Sequence, residues 1–126
     1  MKKVIATSEA PKAVGPYSQA VAVGNFLFCA GQIPLDPAPG ELVAGDVTGQ
    51  TDRVLQNVEA VLRANDMTFA NVVKSTVFMV DLANFSLMNA VYSKYFSEPF
   101  PARSTIQVAG LPKGAQVEIE VIAVRE

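Results

Sequence analysis

Apolar residues in this chain fall into short alternating or continuous runs set apart by glycine and proline, with two stretches of helical period between them. Residues 3–6 form the first strand candidate, followed by a Pro- and Gly-punctuated loop over 10–17. Two further apolar runs, 19–23 and 26–30, flank Gly24-Asn25. Both of those residues accept positive φ, so the pair predicts a tight hairpin turn. Residues 31–45 then carry three prolines and three glycines and predict a long loop. Ordered loops of that length are often functional.

Asp46 follows as an N-cap candidate. Behind it Val47, Thr51, Val54, Leu55, Val58, Val61 and Leu62 recur at helical spacing, with Arg53, Gln56, Glu59 and Arg63 outside the stripe. This helix should stop near Asn65. Residues 72–81 are β-branched and apolar and predict a strand, and residues 84–97 predict a second helix with Met88, Val91, Tyr92, Tyr95 and Phe96 as its stripe. Pro99 and Pro101 end it. Residues 103–108 read as a strand, 111–114 as a turn and 116–124 as a long strand. The order β-β-β-α-β-α-β-β predicts an α+β fold: one domain over 1–126, a mixed six-stranded sheet, and both helices on one face.

The faces of that sheet carry a further expectation. In the last strand Val117, Ile119, Val121 and Ala123 point one way and Glu118, Glu120, Ile122 and Val124 the other. Lys74, Thr76, Phe78 and Val80 alternate with Val73, Ser75, Val77 and Met79 in the same mixed fashion. Two helices cover one face only, and the other is too apolar to stay wet, so a second copy of the chain should cover it. A homo-oligomer with its pocket at a subunit boundary follows.

Composition narrows the chemistry. The 126 residues are 50% hydrophobic and 17% charged, with one cysteine and neither histidine nor tryptophan. Catalytic schemes that need imidazole, and almost every zinc site, are excluded; Cys29 alone makes no intramolecular disulfide. Ten Lys+Arg against twelve Asp+Glu give a net charge of −2, with no basic cluster longer than Lys2-Lys3, which argues against a nucleic-acid partner. The apolar segment after that basic pair is too short for a signal-peptide core, and the longest apolar run, 26–30, is far short of a membrane span. A cytoplasmic protein without a membrane partner is expected.

Arg103 sits where a proline-stiffened loop, Phe100-Pro101-Ala102, enters a strand. Its planar fork suits a carboxylate or phosphate, and a surface position or an intersubunit ion pair would also account for it. Glu118 and Glu120 share a partly apolar face, where a carboxylate either pairs with a cation or is pushed toward its neutral form, the second state suiting acid–base work. Tyr17 lies at the Gly15-Pro16 turn, and Gly31 at a strand exit would let a ligand approach the backbone. Asn89 borders the second helix's apolar stripe. Cys29 reads as a core residue, and Ser104 and Thr105 have no histidine to activate them.

Taken together, Ala10-Pro11, Gly15-Pro16-Tyr17-Ser18-Gln19-Ala20, Gly31-Gln32-Ile33-Pro34, Val80-Asp81-Leu82, Asn89, Pro101-Ala102-Arg103-Ser104, Leu111-Pro112-Lys113 and Val117-Glu118-Ile119-Glu120 resemble, in order and spacing, the RidA (YjgF/YER057c/UK114, endoribonuclease L-PSP) family over nearly the whole chain. The resemblance implies a chorismate-mutase-like subunit in a homotrimer with clefts between subunits. It also implies a hydrolase on C–N bonds, a 2-iminobutanoate/2-iminopropanoate deaminase. Such an enzyme converts reactive enamines and imines such as 2-aminoacrylate, released by pyridoxal-phosphate dehydratases, to 2-ketoacids and ammonia without any cofactor or metal. By the same resemblance Arg103 grips the substrate carboxylate, Glu118 activates the attacking water, and Tyr17, Gly31, Asn89 and Thr105 bind substrate. Ala30 and Thr105 depart from the serine and cysteine common there. Ribonuclease or translation-inhibitor activity, and a non-catalytic trimeric binder of small carboxylates, are the alternatives.

Overall fold

The polar dipeptide between the first two long apolar runs folds as its composition demands. In a computed structural model, which describes all 126 residues, β2 (Ala20–Val23) and β3 (Phe26–Cys29) pair antiparallel with Val23 opposite Phe26. Gly24 takes φ of +57°, the left-handed conformation such a turn requires. β1 (Lys3–Ile5) adds to the outer side of β2. The first helix, α1 (Val47–Ala64), starts at Asp46, whose Oδ1 accepts from the amides of Thr48 and Gly49 at 3.1 and 3.2 Å. Every residue of its predicted stripe is buried.

β4 (Val72–Met79), α2 (Phe85–Tyr95), β5 (Ala102–Gln107) and β6 (Val117–Val124) complete the fold. The sheet runs β1-β2-β3-β6-β4-β5 and is antiparallel except between β4 and β5. Two crossovers produce this order. α1 carries the chain from β3 to β4 and leaves a gap, which β6 fills antiparallel to both; α2 carries it from β4 to its neighbour β5, which therefore lies parallel. Both helices pack on one face, as the patterning predicts. Val117, Ile119, Val121 and Ala123 of β6 are all at most 2% exposed beneath them.

Two details differ from the alternation read in the sequence. A bulge between Val72 and Lys74 shifts the β4 register, so Val72 is buried and Val73, which the alternation puts on one face with Ser75, Val77 and Met79, is 44% exposed on the other side from them. β4 also ends at Met79, two residues early, and β5 begins one residue early at Ala102. The 31–45 loop is tied down at several points. Gln32 and Ile119 form a bridge, Leu35 and Leu42 another, and the buried Asn57 of α1 donates to the carbonyls of Ile33 and Leu35 at 3.2 and 2.9 Å.

The opposite face of the sheet has no layer on it. Phe26 and Phe28 of β3 are each 46% exposed with their rings stacked at 6.0 Å, and Val4 and Ile106 continue the apolar surface toward the two edges. No helix is long and apolar enough to cross a membrane.

Candidate functional site

Arg103 leaves the edge strand β5 opposite Ser75 of β4, and Ser75 is fully buried on the helix-covered face. The guanidinium therefore meets α2, where Phe85, Asn89 and Tyr92 follow one another at helical spacing on one side. Asn89 Oδ1 accepts from Arg103 Nη1 at 2.8 Å. The Phe85 and Tyr92 rings lie 5.5 and 4.7 Å from Arg103 Cζ, and the Tyr92 hydroxyl shares a hydrogen bond of 2.7 Å with Ser75 Oγ. Burial pushes the Tyr92 phenol up, outweighing the opposing effects of Ser75 and of the Arg103 charge. The guanidinium's hydrogen bonding is thus to Asn89 and to the Tyr92 hydroxyl beside it, and no carboxylate pairs with it. Thr105, two residues on and opposite Val77, shares this face and is half-buried.

Glu118 stands elsewhere. It lies on β6 opposite Phe78, on the uncovered face, between the inward-facing Val117 and Ile119. Its carboxyl is pushed above the ordinary carboxylate range, first by burial and then by the Glu120 charge, and no cation pairs with it. The Gln32–Ile119 bridge, with amide-to-carbonyl distances of 2.9 and 3.1 Å, holds the 31–45 loop against β6 and sets Gly31 directly over Glu118. A Cβ at position 31 would overlap Glu118 Oε2 and come within 2.8 Å of Cδ. The residue that approaches this glycine's backbone is thus Glu118 itself.

Tyr17, 55% exposed, and Gly31 line one cavity of about 730 Å³ together with Lys12, Ile33 and Lys113. Gln19 holds the loop carrying Tyr17. Its Oε1 accepts from the Thr7 amide, and its Nε2 donates to the Pro11 carbonyl, both at 2.7 Å. Arg103, Asn89 and Thr105 are therefore one group and Gly31 and Glu118 another, with Tyr17 joined to the second only through the cavity it shares with Gly31. The first can grip a carboxylate and the second can hold a proton beside a sheltered backbone.

Sequence reasoning missed Phe85 and Ser75, and it took Tyr92 only as core. The spacing of 85, 89 and 92 was the available signal. Cys29 is a core residue, as expected, its thiol pushed up to about 12 by burial. No three His, Cys, Asp or Glu side chains come together as a metal site would need.

Residues 7–125 match the family model described as Endoribonuclease L-PSP. A RutC family protein of Pyrococcus horikoshii is 52% identical over 126 residues, covering 100% of both chains. The 2-iminobutanoate/2-iminopropanoate deaminase of Bos taurus is 49% identical over 125 residues, covering 99% of this chain and 91% of the bovine one. Among solved structures, that of E. coli TdcF with bound serine superposes with a TM-score of 0.93 at 45% identity, covering 98% of this chain and 99% of that one.

Proposed function

The chain belongs to the endoribonuclease L-PSP family, the RidA family of its motifs, and on that premise we propose that it is a 2-iminoacid deaminase acting as a homotrimer. The observation that carries this reading is the Arg103 guanidinium, fixed by Asn89 on one nitrogen, set against the Tyr92 ring, and paired with no carboxylate of its own chain. Such a group is ready for one more planar anion, and the substrate's carboxylate is that anion. The amino acid bound to TdcF, serine, carries a carboxylate of the same kind.

Glu118 supplies the second requirement. Hydrolysis begins as water adds to the C=N carbon while Glu118 takes one of its protons and passes it to the imine nitrogen, which restores the carboxylate. The resulting carbinolamine collapses: its C–N bond breaks, its hydroxyl proton passes to the carboxylate and on to nitrogen, and ammonia leaves a 2-ketoacid. An enamine such as 2-aminoacrylate first takes a proton on its methylene carbon and then follows the same course. A carboxylate with a raised pKa suits the role, because it takes the water's proton more readily than an ordinary carboxylate and is still acidic enough to hand it on to nitrogen. Every group in this scheme is a side chain, so no cofactor or metal is invoked.

Arg103 and Glu118 face opposite sides of one sheet, so the reading requires two subunits per site, Arg103 from one and Glu118 from a neighbour. The uncovered apolar face is the surface through which we assemble them, with Tyr17, Gly31, Asn89 and Thr105 around the same cleft. The expected setting is the cytosol, beside the pyridoxal-phosphate dehydratases that release the substrate. The test is a dehydratase-coupled assay in which surviving iminoacid is trapped by semicarbazide. Added protein should cut the trapped fraction, and Arg103→Ala should not. A folded wild type that binds 2-ketobutyrate but leaves trapping unchanged would make the protein a carboxylate binder instead.

A further inference from the structure

Tyr92 belongs to the buried stripe of α2, where a phenylalanine would fill the same space. It is a tyrosine, and its hydroxyl meets Ser75, the one polar side chain in an inward row of β4 otherwise made of Val72, Val77 and Met79. Two hydroxyls buried in an apolar layer add little net stability over well-packed carbon, since each gives up water to gain the other. Their geometry explains them better. Ser75 is level with Arg103 across the β4–β5 ladder, and its small side chain lets the Tyr92 hydroxyl reach the sheet while the ring lies against the Arg103 guanidinium. Phe96 stacks on the same ring at 4.2 Å and 17°. The ring is therefore held by Ser75 at its tip and by Phe96 at its face.

We propose that Tyr92, locked by Ser75, is a positioning residue for Arg103: its ring is the surface against which the guanidinium is held, leaving the remaining N–H groups to the substrate carboxylate. The proposal rests on the reading that Arg103 holds that carboxylate. β5 is an edge strand with no neighbour beyond it, so its own ladder constrains Arg103 on one side only. Asn89 fixes one nitrogen, which still allows rotation about that bond. The aromatic plane removes that freedom, because a cation prefers the face of a π-system.

The test compares wild type with Tyr92→Phe, Tyr92→Leu, Ser75→Ala and, as a control, Arg103→Ala. Thermal unfolding and size-exclusion chromatography establish that each variant is folded and assembled. The ¹⁵N–¹H resonance of Arg103 Nε reports the guanidinium directly, and 2-ketobutyrate titration with iminoacid kinetics reports its use. Tyr92→Leu should remove the ring-current displacement of that resonance. It should also weaken ketobutyrate binding and raise KM roughly five- to tenfold with kcat changed far less. Tyr92→Phe keeps the plane and loses the lock, so it should recover most of the affinity, with Ser75→Ala matching it.

An assembled Tyr92→Leu protein whose Arg103 resonance and ketobutyrate affinity equal those of wild type would overturn the proposal. If Tyr92→Leu does not fold, the Arg103 resonance of Tyr92→Phe and Ser75→Ala decides it: loss of the lock should shift and broaden it in both, and a resonance equal to that of wild type in both is the overturning result. A wild type that binds no ketobutyrate defeats the carboxylate reading instead; the resonance alone then shows whether Tyr92 orders the guanidinium.

Discussion

Arg103 and Glu118 project from opposite faces of one sheet, Arg103 level with Ser75 of β4 and Glu118 level with Phe78 of the same strand. Two strand spacings across and three residues along separate their backbones by roughly 14 Å, before the side chains diverge. One small substrate does not span that distance through the sheet. The two groups act on one molecule only where the Arg103 face of one subunit meets the Glu118 face of another.

Subunit complementation follows from this. Arg103→Ala and Glu118→Ala proteins should each be inactive alone. Unfolded together at equal amounts and refolded, they should regain about a quarter of wild-type activity, because random mixing in the proposed trimer sets an intact Arg103 beside an intact Glu118 at that fraction of the interfaces. Activity that stays at zero in properly assembled mixtures would put both groups in one chain's site and break the two-subunit reading.

The pH dependence of stability reports on Glu118. Burial and Glu120 raise its pKa in the fold, so folding favours the protonated carboxyl. The resulting stabilisation is present below the ordinary carboxylate range and is lost as pH rises through the raised value. Glu118→Gln, neutral at every pH, should melt higher than wild type at about pH 8 and equal to it at about pH 4, while kcat falls about 10²- to 10⁴-fold. Melting curves with the same gap at both ends would mean that the carboxyl is not desolvated.

Gly31 ties the loop to that carboxyl. Gly31→Ala forces the Glu118 carboxylate, the free end of a flexible side chain, to swing aside, which should cost about 0.5–1.5 kcal/mol of stability together with most of the activity. In a Glu118→Ala background the obstacle is gone, and the same alanine should be nearly neutral. A double-mutant cycle on thermal or denaturant unfolding measures the coupling. A coupling near zero would show that the glycine is there for a ligand or a turn.

These particulars mark where the sequence was legible. The α1 stripe and its Asp46 cap could be read because a helix repeats its own period and satisfies its first amides locally. The Gly24-Asn25 hairpin is equally local. The insertion of β6 between β3 and β4 could not be read, since that pairing joins residues far apart in the chain. The bulge that turns Val73 outward leaves no trace in an alternating run. At the candidate site, Glu118 stood out as a carboxylate on a partly apolar face and Arg103 by the proline-stiffened loop before its strand, while the family resemblance gave both their roles. Ser75 and Asn57 did not, because each is explained only by a partner on another element, Tyr92 for the first and the Ile33 and Leu35 carbonyls for the second.

The uncovered face gives the last prediction. Phe26 and Phe28 stack on it beside Ile122 and Val124 of β6, with Glu120 next along β6 and Lys74 across from Ile122 on β4. A protein keeps so continuous an apolar surface when another surface covers it. Phe28→Glu places a charge at its centre without touching the helix-covered core, since the Phe28 side chain contributes nothing to that side of the sheet. The variant should run as a monomer on size-exclusion chromatography with multi-angle light scattering, retain its circular-dichroism spectrum, and lose deaminase activity because no neighbour supplies the second half of the site. A Phe28→Glu protein that stays trimeric and active would place the contact between subunits on another surface and leave this one to a different partner.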